Sequence, residues 1–241
     1  MWEVLTATAL AVAAGAFAQS VTGFGFAMVA IPLVSFVLGP VDAVVVVTVV
    51  ACVLTLGASR RHRSDVQWSV AVRMVLAGVL GMPVGLAALT LLDDRVLAMG
   101  IAVVIGVFAV LAFVGFSLER STPVMLGAGV TSGVFLTATG VNGPPLVAAL
   151  QAMGFGPRQM RATLQATFAA QDVLAVAGFV VVGQLHGRTW LLAAVGVPGL
   201  VVGWLLGEQV FERVDQRVFR VLVLVVLLVS AVLLFVNGLR G

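Results

Sequence analysis

Two glycine turns, Val21-Thr22-Gly23-Phe24-Gly25 and Gly140-Val141-Asn142-Gly143-Pro144-Pro145, each interrupt an otherwise unbroken apolar run. Glycine permits a tight turn and lets a ligand approach the backbone closely. A helix that begins after such a turn presents unpaired amides and the positive end of its dipole, which together suit an anion. Helices starting at Phe24 and at Asn142 would do this. Pro144 and Pro145 suit a first helical turn, where a missing amide costs nothing. The chemistry implied is capture of a small anion by backbone amides, without a basic side chain.

Polar side chains cluster at the same places. Gln19, Ser20 and Thr22 precede the first turn; Thr137, Thr139 and Asn142 sit at the second. Their hydroxyls and amides either donate to an oxyanion or cap helix ends, and both readings stand. Thr48 and Gln165 are 117 residues apart, the repeat offset described below, and are read as lining the same cavity. Asp172 falls halfway along an apolar span, where a lone charge costs about 2.5–3.5 kcal/mol on insertion scales. Such a carboxyl either marks an ion or proton path or is held hydrogen-bonded for packing. Beside an anion it repels unless protonated, which makes proton coupling a natural hypothesis. Cys52 is the only cysteine, so disulfides within the chain and cysteine-based metal sites are excluded; no metal or cofactor is expected. No His/Asp/Glu cluster or nucleophile–base pair falls at membrane depth, so an enzyme is not expected. His62 and His186 fall in loops and are read as solvated.

The elements that must position these residues are membrane helices. Hydrophobic residues make up 61% of the 241 residues and charged ones 10%, and mean hydropathy is +1.20. A soluble domain of this size cannot hide so much apolar surface. The net charge of +3 comes from arginines, with no lysine and no dense basic segment, so it points to cytoplasmic loops and not to nucleic acid. Ala16-Phe17-Ala18 resembles a signal-peptidase site, but Glu3 is the only charge ahead of it, and residues 1–20 have a counterpart at about 119–137. They are kept as part of the fold.

The chain is duplicated. Thr22-Gly23 recurs as Thr139-Gly140 and Gly39-Pro40 as Gly156-Pro157, each 117 residues on. Gly81-x-x-x-Gly85 answers Gly199-x-x-x-Gly203 at 118, and Asp93-x-Arg95-Val96 answers Asp215-x-Arg217-Val218 at 122. The G-x-x-x-G pairs are read as helix-packing positions. Glycine-broken segments in corresponding places point to a transporter site at the repeat interface.

Runs 4–19 and 24–38 flank the first turn. Each is about 15 residues, or ~23 Å, short of the ~30 Å hydrocarbon core, so they predict a re-entrant hairpin. Full spans follow at about 41–59, 67–91 and 96–117. The second copy predicts half-helices at about 123–139 and 143–155, then spans at about 160–183, 189–207 and 218–238. A hairpin returns to its own side and three spans then cross, which inverts the second repeat. With the N-terminus outside, Arg60, Arg61, Arg63, Arg73, Arg120, Arg158, Arg161, Arg213, Arg217 and Arg220 lie at or near the cytoplasmic side; Arg95, Arg188 and Arg240 lie outside. Parallel repeats would split the arginines almost evenly, so the positive-inside rule selects inversion. Trp68 and Trp190, each opening a span, suit interface anchors.

Gly23-Phe24-Gly25 followed by Ile31-Pro32-Leu33, and Gly140-Val141-Asn142-Gly143-Pro144-Pro145-Leu146, resemble the two glycine-rich signatures of the sulfite exporter TauE/SafE family. The resemblance covers roughly residues 10–236, with the basic loop after the second segment. It implies a transporter of small sulfur-containing anions such as sulfite, thiosulfate or sulfonates, with the two turns as the site. Some thiosulfate-importing relatives use cysteines along the path; Cys52, away from either turn, departs from that mode.

The expected fold is an all-α polytopic membrane protein, one domain of two inverted repeats (about 1–118 and 119–241), each a re-entrant hairpin plus three transmembrane helices. The expected function is secondary transport of a small sulfur oxoanion across a bacterial-type inner membrane, with export of sulfite or an organosulfonate favoured and protons as the coupling ion. Both termini are expected outside. Expected substrate contacts are Gln19, Thr22, Gly23, Phe24, Gly25, Thr139, Gly140, Val141, Asn142, Gly143 and Pro144, with Asp172 for coupling or gating. The alternative is a passive channel with aquaporin-like half-helices, although neither turn carries Asn-Pro-Ala and the hairpin opens each repeat.

Overall fold

In a bilayer the backbone must satisfy its own hydrogen bonds, so a chain this apolar has few options besides helices. The computed structural model describes residues 2–114, 120–211, 228–229, 231–232 and 234–236. Among them are helices α1 (Trp2–Thr22), α2 (Phe26–Leu38), α3 (Pro40–Arg61), α4 (Trp68–Leu91), α5 (Asp94–Val114), α6 (Thr122–Thr139), α7 (Gly143–Ala152), α8 (Pro157–Val181) and α9 (Gly187–Phe211), and no strand. Seven of these, all but α2 and α7, are long and apolar enough to cross a membrane. The predicted span 218–238 falls largely outside the described residues, and Arg213, Asp215, Arg217, Val218, Arg220 and Arg240 lie outside them.

Local propensity is overridden where lipid and packing demand it. Val44–Val50 is an unbroken β-branched run, six valines and Thr48, yet it is helical and buried throughout. Asp42 opens this helix and Arg60 and Arg61 close it, complementing the helix dipole. α3 and α8 are the most buried of the spans, α5 and α9 the least. Trp68, the first residue of α4, and Trp190, in the first turn of α9, stand exposed, as interface anchors would.

The arms flanking the turns are unequal, which differs from the half-length pairs expected. α1 has 21 residues and α6 has 18, whereas α2 has 13 and α7 has 10. At ~1.5 Å per residue, the first arms measure about 27–31 Å and the second about 15–20 Å. Polar residues do not end α1, because they bond to the helix itself. The Thr8 hydroxyl donates to the Val4 carbonyl at 2.8 Å and Ser20 to that of Phe17 at 2.9 Å.

Glycines seat the long arms. Along α9, Gly199, Gly203 and Gly207 lie directly against the backbones of Ala9, Ala13 and Phe17 of α1. Along α4, Gly78, Gly81 and Gly85 face Gly129, Val130 and Val134 of α6. In each pair the numbers rise together, so α1 runs parallel to α9, and α6 to α4. The G-x-x-x-G positions therefore pack helices, as expected. We expect Gly81→Val and Gly203→Val each to destabilise the protein by about 1–3 kcal/mol through overpacking. Thermal unfolding in detergent checks this, with Gly57→Val as control, since a Cβ there meets nothing within 4 Å.

Candidate functional site

The first turn is tied across itself by one side chain. Gly23 donates its amide to the Gln19 carbonyl at 2.7 Å, and the Gln19 Oε1 accepts the amide of Phe26, the first of α2, at 3.0 Å. Gly25 has a φ of 113°, which a residue with a Cβ rarely adopts. The expectation that this helix end offers all its amides to a ligand is thus corrected: Gln19 takes the first. Ala27 and Met28 follow, with no partner further back in the helix, and both line the cavity described next.

The second turn is built differently. Gly140, at φ 71°, donates to the Leu136 carbonyl at 2.9 Å and closes α6. Pro144 and Pro145 then remove two of the first amides of α7, leaving those of Gly143 and Leu146 at that end. Asn142 makes no side-chain cap; its Nδ2 donates to the Gln171 Oε1 at 3.3 Å. The same oxygen accepts from Ser132 at 2.7 Å, while Gln171 Nε2 donates to the Met74 carbonyl at 3.5 Å. Gln171 is fully buried and holds the second turn against α4, α6 and α8. Sequence reasoning noticed it only as the neighbour of Asp172; its signal was a neutral amide at membrane depth.

Both turns open onto one cavity of about 30 Å³. Its wall includes Gln19, Gly25, Gly140, Val141, Asn142, Gly143 and Asp172 among the expected residues, and also Met28, Thr55 and Phe168. Asp172 is buried, and its Oδ2 accepts a hydrogen bond from the Thr55 hydroxyl at 2.9 Å. That space suits about one or two waters and is smaller than a four-atom oxoanion.

Other expected contacts fall elsewhere. Thr139 donates to Phe135 at 2.8 Å, and Thr137 to the Met82 and Gly133 carbonyls at 2.9 and 3.0 Å. Those hydroxyls serve the backbone and not the cavity. Phe24 and Pro144 are half-buried beside the cavity without lining it. The side chain of Thr22 lies outside the described residues. Thr48 and Gln165 stand behind the turns and not on the cavity wall: Gln165 donates to the Gly23 carbonyl at 3.0 Å, and the Thr48 hydroxyl sits beside Gly140.

A basic side chain does stand at the first turn, contrary to expectation. Arg161, half-buried, runs its stem under Gly23 and donates from Nη2 to the Ser20 carbonyl at 3.2 Å. His62, also half-buried and at the end of α3, is less solvated than expected; burial first, then Arg161 and Arg61, pushes its pKa below the usual histidine value.

We expect Gly140→Ala to destabilise the fold, since its positive φ alone costs about 1–2 kcal/mol and the new methyl meets Ile31. Gly143→Ala, with its closest neighbour at 3.6 Å, should leave the melting temperature nearly unchanged. Paired thermal melts of the two variants make the comparison.

A family model described as sulfite exporter TauE/SafE matches residues 7–234. A curated protein of Cupriavidus necator, named probable sulfite/organosulfonate exporter TauE, is 27% identical over 205 residues, covering 81% of this chain and 80% of that protein. No solved structure matches the chain.

Proposed function

The chain belongs to the sulfite exporter TauE/SafE family, and from that premise we propose that it carries a small sulfur oxoanion through the cavity between its two glycine turns. It is a membrane transporter of an exporter family, which leaves the passive-channel alternative unfavoured. The observation that carries the route is the meeting of Gly25 and Gly140–Gly143 on one buried cavity, with Asp172 on its wall. Amides of Ala27, Met28 and Gly143, which line the cavity, are the donors for the oxoanion, and Asn142, held by Gln171, is the side-chain donor.

Inverted repeats are the arrangement we propose for these helices. Gly15 of α1 lies against Phe26 and Ala30, so α2 returns along α1; α3 then runs with α1 and α4 crosses back. Because α6 is parallel to α4, the second copy starts opposite to the first. Thr55 and Asp172, which bond to each other, stand 117 residues apart, the offset of the repeat. Equivalent positions touch only at a pseudo-two-fold axis, which supports a symmetry axis passing through the cavity. In this arrangement α2 and α7 are re-entrant arms, and Arg60, Arg61, Arg63, Arg158 and Arg161 share the cytoplasmic face. The small cavity is one state of an alternating cycle; the turns must part to admit the anion.

Asp172 supplies the coupling. An ionised carboxylate opposes an anion in the same cavity, so anion and proton enter together, and binding strengthens as pH falls. In proteoliposomes, an imposed proton gradient should drive accumulation of sulfite or methanesulfonate. Asp172→Asn should flatten the pH dependence; an unchanged profile would rule out coupling through this residue. Topology has a separate check. With Cys52 replaced, single cysteines at Arg63 and at Arg158 should both label from the cytoplasm, and labelling from opposite sides would refute inversion.

A further inference from the structure

The two turns are braced unequally, and the difference singles out Arg161. From α8, two residues one turn apart hold the first turn. Arg161 donates from Nη2 to the Ser20 carbonyl at 3.2 Å, and Gln165 donates from Nε2 to that of Gly23 at 3.0 Å. The equivalent positions on α3, 117 residues earlier, are Val44 and Thr48. Valine has nothing to donate, and the Thr48 hydroxyl, though 1% exposed and beside Gly140, makes no hydrogen bond. Gln165 Oε1 is likewise buried without a partner. The first turn takes two direct hydrogen bonds from α8, whereas the equivalent positions of α3 give the second turn none.

The partners that Arg161 now has are weak ones for a guanidinium. Besides one neutral carbonyl it has the face of Trp204, whose ring centroid lies 5.9 Å from the guanidinium carbon. The nearby carboxylate, Glu208, pairs with Arg61 at 3.5 Å. Arg61 lies close enough to repel Arg161, and among the described residues the one carboxylate that acts on both guanidiniums is Glu208. A guanidinium binds an oxoanion through two parallel charge-assisted hydrogen bonds, which are shorter and stronger than a single bond to an amide oxygen.

We infer that Arg161 is a second anion-contacting residue, outside the cavity on the far side of the first turn, and that it works as a latch. An oxoanion arriving at that face takes the guanidinium from the Ser20 carbonyl and from Trp204. The first turn, then held by Gln165 alone, is freed to part from the second. This rests on the transport reading above for its purpose, but the contact itself is separately measurable.

Trp204 is a reporter already in place. In full-length protein with Trp2, Trp68 and Trp190 replaced by Phe, titration with methanesulfonate should give a saturable change in Trp204 fluorescence. Chloride at equal ionic strength should not. Arg161→Gln should abolish the response and Arg161→Lys should raise its midpoint at least several-fold; the lysine variant decides the matter should the glutamine variant not fold. No saturable response in the parent, or the same midpoint in the lysine variant, overturns the latch. Proteoliposome flux separates the two ideas. Transport with an unaltered KM in Arg161→Lys defeats the latch and leaves the transport reading standing. A Trp204 response without flux of any sulfur oxoanion keeps the site and defeats that reading.

Discussion

A backbone amide or carbonyl in the hydrocarbon core has no water to turn to, so every one must be matched inside the protein. Helices meet that demand by themselves. Turns do not, and this chain places two turns inside its helical bundle. The polar architecture follows from matching the groups those turns expose. Gln19 closes the first turn on itself, Gln171 anchors the second through Asn142, and Arg161 and Gln165 reach across from α8. Residues at the starts of α2 and α7 line one small cavity between the turns.

Packing and polarity follow different symmetries. Glycine-lined contacts repeat faithfully: α1 sits on α9 as α6 sits on α4. Close approach of backbones substitutes for the hydrophobic drive that lipid does not provide. The polar contacts are unequal between the halves, with a glutamine and an arginine on one side answered by a threonine and a valine on the other. A regularly packed scaffold thus carries two turns that are held unequally.

Much of this was legible in the chain. Composition required membrane helices, because no soluble fold hides such an apolar surface. The glycines of the recurring Thr-Gly pairs marked both turns to within a residue or two. The G-x-x-x-G pairs read correctly as packing positions. Helix lengths read less well. α1 runs on through Gln19 and Ser20, since a hydroxyl can return its hydrogen bond to its own helix and leave the periodicity intact.

Class and the location of the turns are properties of local composition and spacing, so the sequence by itself determined them. Which polar atoms face the cavity was decided only by the tertiary structure. Thr137 and Thr139 resemble Gln19 and Asn142 as candidate donors, yet their hydroxyls are spent on backbone carbonyls. Arg161 read as one more arginine at or near the cytoplasmic side until α8 brought it beneath Gly23. Asp172 found its counterpart Thr55 because α3 and α8 cross where they do. These pairings join residues far apart in the chain through the direction of a side chain on a packed helix. Helix crossings set that direction, and neither period nor composition encodes it.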